Sequence, residues 1–163
     1  GSWLRSASVG VAADLICLGK GLGGGLPISA CVGRREVMAA WSQEAEVVHT
    51  STFAGAPLAC ATAIATLDTL SREHLIQRSQ DVGARFVERL RRAGATARGA
   101  GLMVGIELGG RAGAAVDVGR KLLGAGFLTS TGGGARDALV LTPPLTIAET
   151  LLDAFAQELT RCL

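Results

Sequence analysis

One lysine stands inside a run of glycines, Gly19-Lys20-Gly21-Leu22-Gly23-Gly24-Gly25, directly after the apolar stretch Leu15-Ile16-Cys17-Leu18. An amine placed there can clamp a phosphate, attack a carbonyl, or sit idle in a turn. A phosphate loop of the Walker kind needs G-x-x-x-x-G-K followed by a hydroxyl residue that ligates magnesium. Lys20 is instead followed by Gly21, and Asp14 stands where the first glycine belongs. A dinucleotide fingerprint fits the spelling better, because Gly19, Gly21 and Gly24 satisfy G-x-G-x-x-G. Its physics requires a helix opening at the third glycine, so that the helix dipole meets the pyrophosphate. Here Gly25-Leu26-Pro27 leads into another apolar run, and Glu36 falls in a predicted helix where a strand-ending acid is needed. A nucleotide-binding dehydrogenase piece is therefore kept only as an alternative.

The covalent reading needs a poorly solvated lysine at a strand end, with bare backbone around it for a flat cofactor. Desolvation lowers an amine's pKa and makes it nucleophilic toward an aldehyde, as Schiff-base chemistry requires. The chain has two lysines, Lys20 and Lys121, beside fourteen arginines. Lys121 follows Arg120 on a predicted amphipathic helix and reads as a solvated surface charge. A lysine kept in the one apolar, glycine-lined spot of an arginine-dominated chain points to a use for a deprotonatable amine. The glycines are expected to clear space beside it. Ser51 and Thr52, in His49-Thr50-Ser51-Thr52-Phe53, read on their own as loop hydroxyls at a turn before a helix.

The elements that must position these residues follow from periodicity. Asp14 to Leu18 reads as a buried strand and Leu26 to Gly33 as a second one, with a helix from Arg34 to Trp41. A loop runs from Ser42 to Gly55. Pro57 suits a first helical turn and opens an alanine-rich helix. Leu75, Ile76, Val82, Phe86, Val87 and Leu90 recur at helical spacing to about Arg92, with a boundary at Ser71-Arg72-Glu73-His74. Beyond it the units shorten. Gly101 to Gly109 is a predicted strand, Ala114 to Leu123 a helix, Gly126 to Thr131 a strand, and Ala138 to Leu145 a strand stopped by Pro143-Pro144. A closing helix, residues 147–163, is expected to be capped by Thr146 with Glu149 three residues on. The last ninety or so residues thus form a compact α+β unit.

Composition narrows the classes. The chain of 163 residues is 48% hydrophobic and 18% charged, has net charge +2, and has no apolar run long enough to span a bilayer. Its arginines are scattered and its aromatics make up 4%, which argues against a nucleic-acid surface. Cys17, Cys31, Cys60 and Cys162 lie far apart with only His49 and His74 to assist, so no metal site is expected; buried, reduced cysteines in a cytoplasmic protein are. The first residues do not read as a signal peptide, and with no initiator methionine the chain is expected to be a piece of something longer.

Four segments, read together, carry a resemblance. "DLICLGKGLGGGLPISACVGRREVM", "HTSTFAGAPLACATAIATLDTL", "RGAGLMVGIEL" and "LVLTPPLTI" resemble, in this order across essentially the whole chain, the class III pyridoxal-phosphate aminotransferases. The resemblance implies an α/β fold, namely the C-terminal part of a type I aminotransferase. Residues 1–73 would end the cofactor-binding large domain, and 74–163 would form the small α+β domain. It implies transamination with pyridoxal 5'-phosphate, a small-molecule amino donor and a keto-acid acceptor, in a homodimer with shared active sites. Lys20 matches the lysine that forms the Schiff base and moves the substrate's proton. Thr52 matches the threonine that binds the cofactor phosphate of the neighbouring subunit's site, with Ser51 as its weaker neighbour.

Two departures qualify the match. The family's aspartate for the pyridine nitrogen, in a D-E-x-x-T-G segment, is absent, as are the upstream glycine-rich loop and the aromatic that stacks on the ring. The isolated chain is therefore expected to have little or no transaminase activity without an N-terminal partner piece, and a non-catalytic dimerisation module is the alternative. Val140 stands where several members place an arginine that grips a substrate carboxylate.

Overall fold

The structure is a computed structural model that describes residues 1–42, 51–109 and 111–163. Most of the predicted loop from Ser42 to Gly55, including His49, lies outside the described residues. The chain divides into two compact units, Ser2–His74 and Leu75–Leu163, with Gly1 counted in the second.

The first unit holds a short helix α1 (Arg5–Ser8) and two strands, β1 (Leu15–Leu18) and β2 (Ala30–Gly33). The strands pair antiparallel with Leu15 opposite Gly33, Cys17 opposite Cys31 and Leu18 opposite Ala30. Asp14 and Arg34 pair at the open end of this ribbon. Helix α2 (Arg35–Met38) passes into a 3-10 turn (Ala39–Ser42), and α3 (Pro57–Arg72) carries Pro57 in its first turn as expected. The expectation of a buried β1 is corrected: in the described residues its side chains alternate exposed and half-buried. The cysteine expectation is corrected with it. Cys17 and Cys31 are exposed, Cys60 is half-buried, and only Cys162 is buried.

The second unit is a four-stranded antiparallel sheet covered by helices. Its strands are β3 (Thr96–Ala100), β4 (Met103–Glu107), β5 (Ser130–Gly132) and β6 (Ala138–Leu141), in the order β3-β4-β6-β5. Helices α4 (Leu75–Arg92), α5 (Ala114–Gly124) and α6 (Glu149–Cys162) supply the other layer. Strands alternate their side chains between faces. Val104, Ile106, Leu139 and Leu141 therefore join one core with Phe86, Leu90, Leu122, Phe155 and Leu159 from the helices. Phe155 sits at its centre, edge-on to both Phe86 and Phe127.

The break between α3 and α4 falls at Glu73-His74, where His74 turns left-handed at φ 51°. Glycine lets α4 approach the β3–β4 turn, because a Cβ on Gly83 would lie 2.1 Å from the Gly101 carbonyl oxygen. Ser79 Oγ, on the same face, accepts the Leu102 amide at 3.1 Å.

Three sequence expectations change here. Strand β3 was not expected: Thr96-Ala97-Arg98-Gly99-Ala100 buries only Ala97, so it has no apolar run to reveal it. The strand expected over Gly126–Thr131 begins only at Ser130, because Gly126 (φ 89°) and the Phe127 amide, which donates to Leu122 O at 2.8 Å, close the end of α5. The Thr146 cap does not form, and Ala148 holds the cap position with no side-chain bond. The Ile147 amide instead donates to Pro144 O at 3.0 Å, and Arg78 grips the carbonyls of Leu145 and Ile147, so Pro144–Ile147 is held as a turn. Glu149 then falls in the first turn of α6, facing its positive end and pairing with Arg85 at 2.8 Å.

Candidate functional site

Strand β1 ends at Leu18, and the chain then turns through a 3-10 helix, Lys20–Gly23, before β2. No α-helix opens at Gly24, so the dinucleotide geometry is not built. Lys20 begins the turn with a left-handed backbone, φ 47°. For a side chain with a Cβ this conformation costs on the order of 1 kcal/mol. Such strain in a non-glycine residue directs attention to what its side chain does.

Lys20 lines a cavity of about 540 Å³, with Pro27, Ile28 and Ser29 on one side and Ser51, Phe53 and the start of α3 on another. Helix α3 begins with no side-chain cap on its first amides. The open amide end and positive dipole of a helix favour an anion. The Ser29 and Ser51 hydroxyls add hydrogen-bonding groups to the same wall. The cavity thus holds one amine, two hydroxyls and a helix start, a set that suits a phosphorylated aldehyde. No carboxylate lines it among the described residues.

Two expectations about this loop are revised. Lys20 is exposed, although residues 27–29, Ser51, residues 53–56 and Ala59 line the cavity beside it. The glycines divide: Gly21 and Gly25 have open space beside them, while Gly23 and Gly24 permit close packing. A Cβ on Gly23 would lie 2.8 Å from Ile28 Cγ2, and one on Gly24 (φ 59°) would lie 2.6 Å from Thr66 Oγ1 of α3. Gly21 alone within the Lys20–Gly24 turn has open space beside it.

Of the hydroxyls singled out from sequence, Ser51 lines the cavity, whereas Thr52 is exposed on the following turn and does not. Ser29 and Phe53 line it without having been singled out. Ser29 could have been noticed from its place two residues after Pro27, where the chain returns toward β2. Lys121 is no free surface charge, because its Nζ donates to the Cys162 carbonyl at 3.0 Å, at the end of α6. That bond has the sign expected of a cation at a helix C-terminus. The two lysines therefore divide into a structural one and one on an open cavity.

Comparison with known proteins decides the family. The family model described as "Aminotransferase class-III" matches residues 1–163. The chain belongs to the class III aminotransferase family. This is a pyridoxal-phosphate-dependent family, and the described architecture is the C-terminal portion of its fold. An acetylornithine aminotransferase of Archaeoglobus fulgidus is 36% identical over 94% of this chain and 38% of its own length. One from Streptomyces clavuligerus is 39% identical over 98% of this chain and 39% of its own length. Among solved structures, the ornithine aminotransferase of Toxoplasma gondii, which shows partial occupancy of PLP at its active site, has a TM-score of 0.87 at 33% identity. That match covers 99% of this chain and 38% of the other. The chain therefore spans well under half the length of the relatives it matches.

Proposed function

We propose that this chain supplies the lysine-bearing part of a pyridoxal-phosphate transaminase acting on a small amino donor and a keto-acid acceptor. The observation that carries the reading is Lys20 on a cavity that also presents Ser51 and the start of α3, in a class III chain whose other lysine is engaged elsewhere. Bound pyridoxal phosphate supplies an aldehyde and an electron sink. Lys20 would hold that aldehyde carbon through its amine, yield the carbon to the donor's amine, and as the released base move a proton at the substrate's α-carbon. Ser51 and the first amides of α3 would meet phosphate oxygens in this chain's own cavity. Thr52, turned outward, would serve a second copy across a homodimer interface.

Residues 1–73 would belong to the cofactor-binding domain and 74–163 to the small domain. The names of the relatives support an acetylornithine- or ornithine-like donor, and a cytoplasmic location is part of the same proposal. Val140 offers no charge for a carboxylate, so such a donor would be gripped by other groups.

Incubating the chain with pyridoxal phosphate, reducing with borohydride and mapping modified peptides tests the assignment. Label confined to Lys20, and lost in Lys20→Ala, is the expected result. Label absent, or shared equally with Lys121, would sink the catalytic reading and favour a non-catalytic dimerisation module.

A further inference from the structure

Cys17 and Cys31 stand directly opposite each other in the antiparallel ribbon of β1 and β2. Directly opposed residues on such a pair project to the same face, with Cα atoms about 4.5 or 5.5 Å apart according to the hydrogen-bond register. Both separations fall within the range that a disulfide spans, roughly 4.4–6.8 Å. The Cys31 thiol is pushed above its ordinary pKa by desolvation and by the neighbouring Cys17 thiol. Both residues are exposed. They line a cavity of about 650 Å³ together with Ser29, Ser51 and Ala54. Those last three residues also line the Lys20 cavity. A small thiol reagent therefore has room to reach the pair. The other two cysteines are placed differently, Cys60 half-buried on α3 and Cys162 buried at the end of α6.

We propose that Cys17 and Cys31 form a reversible dithiol–disulfide site, oxidised by a low-molecular-weight disulfide, that closes the base of the loop carrying Lys20. One cysteine thiolate attacks the small disulfide, forming a mixed disulfide and expelling one small thiolate. The second cysteine sulfur then attacks the protein sulfur of that mixed disulfide and expels the other small thiolate. The two protein thiols lose two electrons and two protons, and the small disulfide gains them as two thiols. The new bond encloses residues 18–30, and with them the left-handed turn at Lys20 and the glycines after it. The inference concerns the sulfurs themselves and stands whether or not Lys20 ever binds a cofactor.

The full chain is incubated, folded, with glutathione disulfide, then alkylated and mapped by mass spectrometry. The expected result is loss of two of the four alkylatable thiols, a Cys17–Cys31 cross-linked peptide, and recovery of both thiols with dithiothreitol. Hydrogen exchange over residues 18–30 is expected to slow at least severalfold in the oxidised chain. Cys31→Ser is expected to stop at a mixed disulfide on Cys17 with no slowing of exchange. Stable mixed disulfides on both Cys17 and Cys31, or cross-links that involve Cys60 or Cys162 instead, would overturn the proposal. So would a Cys17–Cys31 cross-link that leaves exchange over 18–30 unchanged, because the loop would then not be clamped.

Discussion

The two units of this chain differ in what holds them together. In Leu75–Leu163, three helices cover one face of a four-stranded sheet, and Leu90, Ile106, Leu122 and Leu139 are wholly shielded from water. In Ser2–His74, the buried residues among those described are Gly23, Ala59 and Ala63, and larger apolar groups such as Phe53, Leu58 and Ile64 stand open. Hydrophobic stabilisation scales with the apolar area removed from water, about 25 cal/mol per Å². The second unit therefore carries its own driving force, while in the first the described residues of this chain bury little beyond the packing of α3 on the turn after β1. The proposed Lys20 site lies in the unit with the smaller buried core. Loops that bind and react are commonly drawn from the low-stability end of a structure.

The sharpest way to break this comparison is to delete apolar volume in each unit. Leu139→Ala removes a fully buried side chain from the centre of β6. It is expected to cost about 2–5 kcal/mol, the usual range for an unrelaxed core cavity. Ile64→Ala in α3, 60% exposed, is expected to change stability by less than about 0.5 kcal/mol. Urea unfolding of the full chain, with native-state hydrogen exchange to locate the change, checks both. Equal losses in the two units would show that Ser2–His74 has a core of the same strength, and the contrast would fail.

The same contrast explains what could be read from the sequence. The helices of the second unit were legible because Val82, Phe86 and Leu90 repeat at the helical period, and a packed core enforces that period. Edge strand β3 was not, since Ala97 is the one residue it buries and its pairing comes from β4 rather than from its own pattern. The start of α6 was misplaced because Arg78, whose partners lie 67 and 69 residues away in sequence, holds the carbonyls of Leu145 and Ile147 just before the helix. In the first unit Lys20 was singled out through residue type and context, and Thr52 with its neighbour Ser51 only through the family resemblance. The open space at Gly21 agrees with the expected clearance beside Lys20, whereas the packing role of Gly23 and Gly24 was not legible, because their neighbours Ile28 and Thr66 are fixed only by the folded turn. The pairing of Cys17 with Cys31 across the ribbon depends on register, which neither cysteine's local sequence states.

A smaller effect probes the junction between the units. His74 holds φ 51° immediately after α3, in the place where helices commonly put glycine. His74→Gly removes a left-handed strain of about 1 kcal/mol, and the greater freedom of the unfolded chain returns roughly half of it. A net gain of about 0.5 kcal/mol is expected, read as a higher urea midpoint with an unchanged slope. A lower midpoint would show that the imidazole does more than occupy a turn.

The smallest expected effect is electrostatic and lies on the surface of the well-packed unit. Asp117, in the first turn of α5, is held below the usual carboxylate pKa by its hydrogen bond with Arg111, then by the charge of Arg111, with smaller help from Arg120 and Lys121. A carboxylate whose folded pKa is depressed binds protons more readily when unfolded. Its contribution is therefore fully present above the unfolded value, near pH 4, and fades as pH falls through the folded value. Both partners are solvent-exposed, so the pair contributes little next to the core, and salt weakens it further. The difference in urea midpoint between the natural chain and Asp117→Asn is expected to be small at pH 7 and to shrink toward zero below pH 4. A difference that widens on acidification would mean that Asp117 is opposed rather than favoured by its surroundings in the folded chain, and the stated cause of its shift would be wrong.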